Sequence, residues 1–215
     1  MYIFIFDFDD TIVNSTPEIH YKAYKEFCEL TNKKYLSLNE YYMELFNKTY
    51  TEFLDDMHLT DEEYKLEYQN WKKYTSTIDP KPFDKILYIL KLIQQNGHKI
   101  VICSQSNKEA IENFFNKTDI TIDLIIAGDR KHPERNKPYD YPINLVKQLF
   151  NVNNSQIIVI DDMKPGLLMA KNNNVKSIGV LYSGNHDMLK NEIYELSTVV
   201  AETIENLITY IKLLV

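Results

Sequence analysis

Five short apolar runs, each about one strand long, constrain this chain most: residues 2–6 (Tyr-Ile-Phe-Ile-Phe), 99–103, 122–126, 156–160 and 176–181. Most are rich in β-branched residues, and the runs at 2–6 and 99–103 show no polar alternation. That composition suits strands covered on both faces, the condition of a parallel sheet. Helical spacing fills the intervals. Phe83, Ile86, Leu87, Leu90 and Ile93 form one stripe, and Asn96-Gly97 supplies a left-handed stop after it. Residues 107–116, 141–150, 164–173 and 202–213 read as further helices. Strand and helix alternate, which predicts an α/β fold built on an open parallel sheet.

Residues 14–79 break the alternation. They contain no glycine, a single proline (Pro17) and many aromatics. Ile19, Ala23, Phe27 and Leu30 make one helical stripe; Tyr42, Phe46, Tyr50, Phe53 and Met57 approximate another, and Tyr64, Tyr68 and Trp71 continue it. Such stripes are packing surfaces. The segment reads as a small helical bundle inserted after the first strand, with Pro80 and Pro82 marking its return. It begins directly after an acidic motif, so the sequence predicts that the bundle covers the acids. The expected division is residues 1–13 with 80–215 as the sheet core and 14–79 as the insertion.

The chain is 44% hydrophobic and 26% charged, with a formal net charge of −7. The negative balance argues against nucleic acid as a partner. The two cysteines, Cys28 and Cys103, form no metal-binding pattern. The first apolar run is too short for a signal peptide and ends in acids, and no run is long enough to span a bilayer. A reduced, cytoplasmic protein with no membrane association is expected.

The chemistry lies at the ends of the strands. Asp7-Phe8-Asp9-Asp10-Thr11 follows the first run, and strand alternation would aim Asp7 and Asp9 the same way. Two carboxylates there repel each other and call for a cation. Ser104 follows the second run in Cys-Ser-Gln-Ser-Asn, where a hydroxyl and the free amides around Gln105 can hold a phosphoryl oxygen while Ser106 or Asn107 caps the next helix. Lys137, in Asn-Lys-Pro-Tyr-Asp, is placed to neutralise both an acid and a phosphate; Lys131 competes for that role. Asp161-Asp162 end the fourth run, and paired acids in that position need a compensating charge. Mg²⁺ suits an oxygen-only set of this kind.

These four stretches resemble the signature motifs of the haloacid dehalogenase superfamily of phosphohydrolases. Asp7-Phe-Asp-Asp-Thr11 is similar to the first motif, Ser104 to the second, Lys137-Pro138 to the third and Asp161-Asp162 to the fourth. Thr11-Ile-Val-Asn-Ser-Thr-Pro17 resembles the family's entry into a helical cap. Asp10 stands where glycine is common, Asn14 where aspartate is common, and the Pro-Asp pair expected after Lys137-Pro138 is displaced.

The resemblance implies a Rossmann-like core with an inserted helical-bundle cap, a Mg²⁺ cofactor and an aspartyl-phosphate intermediate on a small phosphorylated metabolite. Asp7 would be the nucleophile and Asp9 the acid and base. Asp7, Asp9 (through its carbonyl), Asp161 and Asp162 would be the metal ligands, Ser104, Gln105 and Lys137 would hold phosphate, and Thr11 would orient the loop. The polar stretch Asn47-Lys48-Thr49 resembles the cap loop that reads the leaving group; an ordinary helix junction is the competing reading.

A phosphosugar mutase of the same superfamily is the nearest alternative, but His20 falls one residue late for its cap histidine. A dehalogenase needs neither Asp9 nor the metal-binding acids. A receiver-like signalling module has its acidic pair first rather than last and lacks the insertion. A binding protein without catalysis has no support, since every catalytic residue type is present.

Overall fold

The computed structural model describes every residue from Met1 to Val215. The chain divides into two compact units, Met1–Val13 with Pro82–Val215, and Asn14–Lys81. In chain order the first elements are β1 (Ile3–Phe6), β2 (Val13–Asn14), α1 (Tyr21–Leu30), α2 (Leu38–Asn47), α3 (Tyr50–Asp56), α4 (Asp61–Thr77) and β3 (Lys81–Pro82). There follow α5 (Ile86–Gln95), β4 (Lys99–Cys103), α6 (Lys108–Phe115), β5 (Leu124–Ile126), α7 (Tyr141–Phe150), β6 (Ile157–Asp161), α8 (Lys164–Asn172), β7 (Lys176–Val180), α9 (Lys190–Leu196), β8 (Val199–Ala201) and α10 (Ile204–Lys212).

The larger unit is an α/β fold on a six-stranded sheet ordered β5-β4-β1-β6-β7-β8, parallel throughout. β1 lies between β4 and β6, with Ile3 opposite both Lys99 and Ile157. All of its residues are buried, which explains the unbroken apolar run. Alternate residues feed opposite layers. Phe4, Phe6, Ile100, Ile102, Ile158 and Ile160 pack with α5, α6 and α10. On the other face Ile3, Ile5, Val101, Cys103, Ile157 and Val159 pack with α7 and α8. The core strands follow the expected positions to within two residues: β1 starts at Ile3 rather than 2, β5 at Leu124 rather than 122, β6 runs Ile157–Asp161 rather than 156–160, and β7 ends at Val180 rather than 181. β8 and α9 are additions the sequence did not reveal.

The smaller unit is helical. A π-helical turn at Thr16–His20 leads into α1. Ser37/Glu40, Thr49/Glu52 and Thr60/Glu63 form reciprocal capping boxes that start α2, α3 and α4; each satisfies orphan amides at a helix N-terminus. Its core is aromatic: Tyr24, Phe27, Tyr41 and Phe53 pack with Cys28 and Leu54. Leu30, expected in the first stripe, is instead exposed. His20 accepts a hydrogen bond from Trp71 Nε1 at 3.1 Å and stacks on its ring.

Candidate active site

The sheet gathers the acids by topology. β4, β1 and β6 are neighbours, and Ser104, Asp7 and Asp161-Asp162 stand at their carboxyl ends, the edge where sites form in open parallel sheets. Asp7 extends the pairing of β1, its N–H donating to the Ile160 carbonyl at 2.9 Å. The chain then turns sharply. Asp10 takes a left-handed conformation at φ 55°, which Asp tolerates better than most side chains, and Ile12 and Val13 donate back to the Phe8 carbonyl.

Buried Lys137 joins the first and last motifs. Its Nζ donates to Asp7 Oδ1 at 2.8 Å and to Asp161 Oδ2 at 2.7 Å. Burial alone would lower the lysine pKa, but Asp161 and Asp7 more than offset that and hold it well above its usual value. Lys131, the competing lysine, is exposed. Asp7 itself is pushed well above the ordinary carboxylate range, first by burial and then by Asp161, Asp162 and Asp9, with Lys137 opposing. Asp161 is raised to about 6, again chiefly by burial against the pull of Lys137. Asp161 also accepts from the Met163 N–H at 2.9 Å.

Asp162 has a close polar neighbour at each oxygen. Thr11 Oγ1 donates to Oδ1 at 2.8 Å, and His186 Nε2 lies 3.1 Å from Oδ2. Asp9 faces a pair of hydroxyls, Ser106 Oγ at 2.6 Å and Ser104 Oγ at 3.3 Å, both donating to Oδ2. Ser106 is therefore not the helix cap. Asn107 fills that role, its side chain accepting from the Ala110 N–H.

Gln105 contributes backbone here, and its side chain is exposed. Gly128 packs on the Gln105 carbonyl so closely that a Cβ would overlap it, and its N–H donates to the Ser106 carbonyl at 3.1 Å. The loop that leads to Lys137 is thereby fastened to the Ser104 loop.

Asn47, Lys48 and Thr49 lie in the helical unit and are occupied locally. Asn47 ends α2 and donates to the Met43 carbonyl, Lys48 pairs with Glu44 and Asp56, and Thr49 caps α3. Local contacts of this kind are those of a helix junction. His186, Ser183 and Tyr182 belong to none of the four motifs, and Ser106 reads in the sequence only as a cap. The available signal was position: residues 181–186 follow β7, the neighbour of the strand carrying Asp161.

Oxygens of Asp7, Asp161 and Asp162 lie within 4.8 Å of one another, all three residues buried. Lys137 supplies a single cation against three carboxylates. The excess negative charge and the all-oxygen donor set fit a hard divalent cation such as Mg²⁺.

A family model for haloacid dehalogenase-like hydrolases matches residues 4–180, a span that takes in every acid, hydroxyl and lysine of the four motifs. The chain belongs to that family. Solved structures agree on the fold. This hydrolase matches a conserved haloacid dehalogenase-like protein of unknown function from Agrobacterium tumefaciens at TM-score 0.79 and 16% identity, over 100% of this chain and 99% of that one. A protein named as a predicted phosphatase from Clostridium acetobutylicum matches at 0.77 and 18%, over 98% of each chain. CbbY from Rhodobacter sphaeroides, solved in complex with xylulose-(1,5)bisphosphate, matches at 0.73 and 15%, over 94% of this chain and 95% of that one. No curated protein matches the sequence. No helix of this hydrolase is long and apolar enough to cross a membrane.

Proposed function

We propose that this hydrolase is a Mg²⁺-dependent phosphatase of small phosphate monoesters acting through an aspartyl-phosphate. The observation that carries the reading is Lys137 bridging Asp7 and Asp161. It engages Asp7 through Oδ1 only, which leaves Oδ2 to attack phosphorus in line. The lysine charge, beside both the nucleophile and the incoming phosphoryl group, offsets the negative charge that accumulates as they meet.

Asp9 protonates the leaving oxygen and then takes a proton from the hydrolytic water, with Ser104 and Ser106 setting the direction of its carboxylate. Ser104 and the backbone around Gln105 receive phosphoryl oxygens. Asp7, Asp161 and Asp162 would hold Mg²⁺, with the Asp9 carbonyl added by family resemblance; the ion supplies charge neutralisation and a template for the phosphate. The helical unit, inserted directly after the acids, acts as the cap that selects the ester. Selectivity is assigned to that unit, with Asn47, Lys48 and Thr49 as the candidate residues.

The relatives support phosphate chemistry: one is named a predicted phosphatase, another was solved with a bisphosphate. His20, already bonded to Trp71, gives no support to a mutase. A panel of sugar phosphates, nucleoside monophosphates, phosphoglycolate and pyridoxal phosphate, assayed for phosphate release with and without Mg²⁺, tests the reading. Magnesium-dependent release is expected for at least one ester. Release undiminished in excess chelator, or none from any ester with Mg²⁺ present, would overturn it.

A further inference from the structure

The loop after β7 buries a histidine that the phosphatase mechanism does not use. His186 is completely buried. Its Nε2 lies 3.1 Å from Asp162 Oδ2, and its Nδ1 lies 3.0 Å from Ser183 Oγ. Ser183 Oγ also accepts the Asn185 N–H at 3.2 Å, so its own proton is free to be given to Nδ1. That arrangement places the ring proton on Nε2, facing Asp162. A cationic ring would present the same N–H to the same oxygen, so the contact does not depend on the charge of the ring.

The loop touches the site a second time. Tyr182, four residues earlier, donates its phenol to the Thr11 carbonyl at 2.5 Å, and Thr11 Oγ1 holds the other oxygen of Asp162. Asp162 thus meets this loop at Oδ2, through the close approach of the imidazole, and is hydrogen-bonded at Oδ1 by a residue the loop secures. The loop is itself fixed: the Leu181 N–H donates to the Ala201 carbonyl of β8, and the Leu189 N–H to the His186 carbonyl.

We propose that His186 is a positioning residue that fixes the Asp162 carboxylate for cation binding, with Ser183 setting its ring. The proposal rests on the reading of Asp162 as a Mg²⁺ ligand. A carboxylate free to rotate must lose that freedom when it takes the ion, and one already held does not. Removing an outer partner of a metal-binding carboxylate weakens metal affinity by roughly 10–100-fold. An imidazole kept from water without serving the site would be a costly choice, because a burial-tolerant apolar side chain would fill the same space.

The test is Mg²⁺ binding to the full chain without substrate, by calorimetry and by the rise in Tm on adding the ion, for wild type, His186→Leu, His186→Gln and Ser183→Ala. Leucine removes the donor, and Kd for Mg²⁺ should rise at least ~10-fold. Glutamine can present an N–H in the place of Nε2 and should recover most of the affinity. Ser183→Ala frees the ring and should give an intermediate loss. Equal Kd in all four proteins, even with a lower Tm for the apo variants, would show a packing role and overturn the proposal, as would failure of glutamine to recover affinity. Should His186→Leu not fold, the Ser183→Ala and His186→Gln comparison decides by the same criteria. No Mg²⁺ binding by wild type would instead remove the magnesium reading beneath it.

Discussion

Gly166 abuts Asp161: a methyl group at this first turn of α8 would overlap the Asp161 carboxylate, Oδ2 most of all. The absence of a side chain there lets the helix come up against an acid whose Oδ2 also receives Lys137. Gly166→Ala should therefore act at the site and on stability together. Overpacking of this kind costs about 1–3 kcal/mol, which urea unfolding would read. Displacing Asp161 from Lys137 should also cut kcat/KM for a phosphate ester at least ~10-fold, a loss of about 1.4 kcal/mol in transition-state stabilisation. Wild-type stability and turnover in this variant would show that α8 moves aside freely.

Asp7→Asn should fold and fail to turn over. The amide keeps the shape and relieves repulsion from Asp161 and Asp162, while the nucleophile is gone. Activity should fall at least ~100-fold, the scale of loss for an essential group, with Tm changed little. Several per cent of wild-type phosphate release from clean protein would assign the attack elsewhere.

Lys137→Met should be the most destabilising of the site variants. It leaves Asp7 and Asp161 buried beside each other without a cation, and breaking a buried pair from one side costs about 3–5 kcal/mol. Mg²⁺ should restore part of that loss, because the ion replaces the missing charge. Denaturation with and without Mg²⁺ measures both, and an apo variant as stable as wild type would contradict the buried bridge.

His98 should make stability fall in mild acid. Its Nδ1 accepts the Tyr2 N–H at 3.0 Å and its ring packs beside Phe4, and burial lowers its pKa below 6.5. Below pH 6.5 the unfolded chain takes up the proton before the folded one, so the stabilisation present above that pH is lost as the pH falls through the folded-state value. His98→Asn, which retains an acceptor that does not titrate there, should lose less stability than wild type between pH 7.5 and 5.5. Equal pH dependence of the two urea midpoints would put the titration elsewhere.

What the sequence disclosed depended on local pattern. The core strands announce themselves because both faces are apolar, and Asp161-Asp162 stand out because paired acids at the end of such a strand are hard to explain otherwise. β8 is three residues long at the sheet edge, with Val199 exposed, too short for any period to show. His186 lies in Tyr-Ser-Gly-Asn-His, which reads as a polar turn; only its contact with a residue 24 positions earlier makes it part of the site. Lys137 is preferred to Lys131 in the sequence only by its motif and its place before a helix; its burial and its two acid partners belong to the folded chain. Ser106 looked like a cap for the same reason: Asp9, its partner, is remote in sequence.

The central place of β1 has a consequence for how the protein comes into being. The strand is made well before its neighbours β4 and β6, which arrive only with residues 99 and 157. Throughout the intervening synthesis an apolar segment and the leading acids must wait unpaired, while the helical unit, whose partners are close in sequence, can already collapse. Long-range pairing of this kind slows folding. A chain released before Asp162 would carry Asp7 without the residues that complete its surroundings, so premature termination yields a sticky fragment without a finished site.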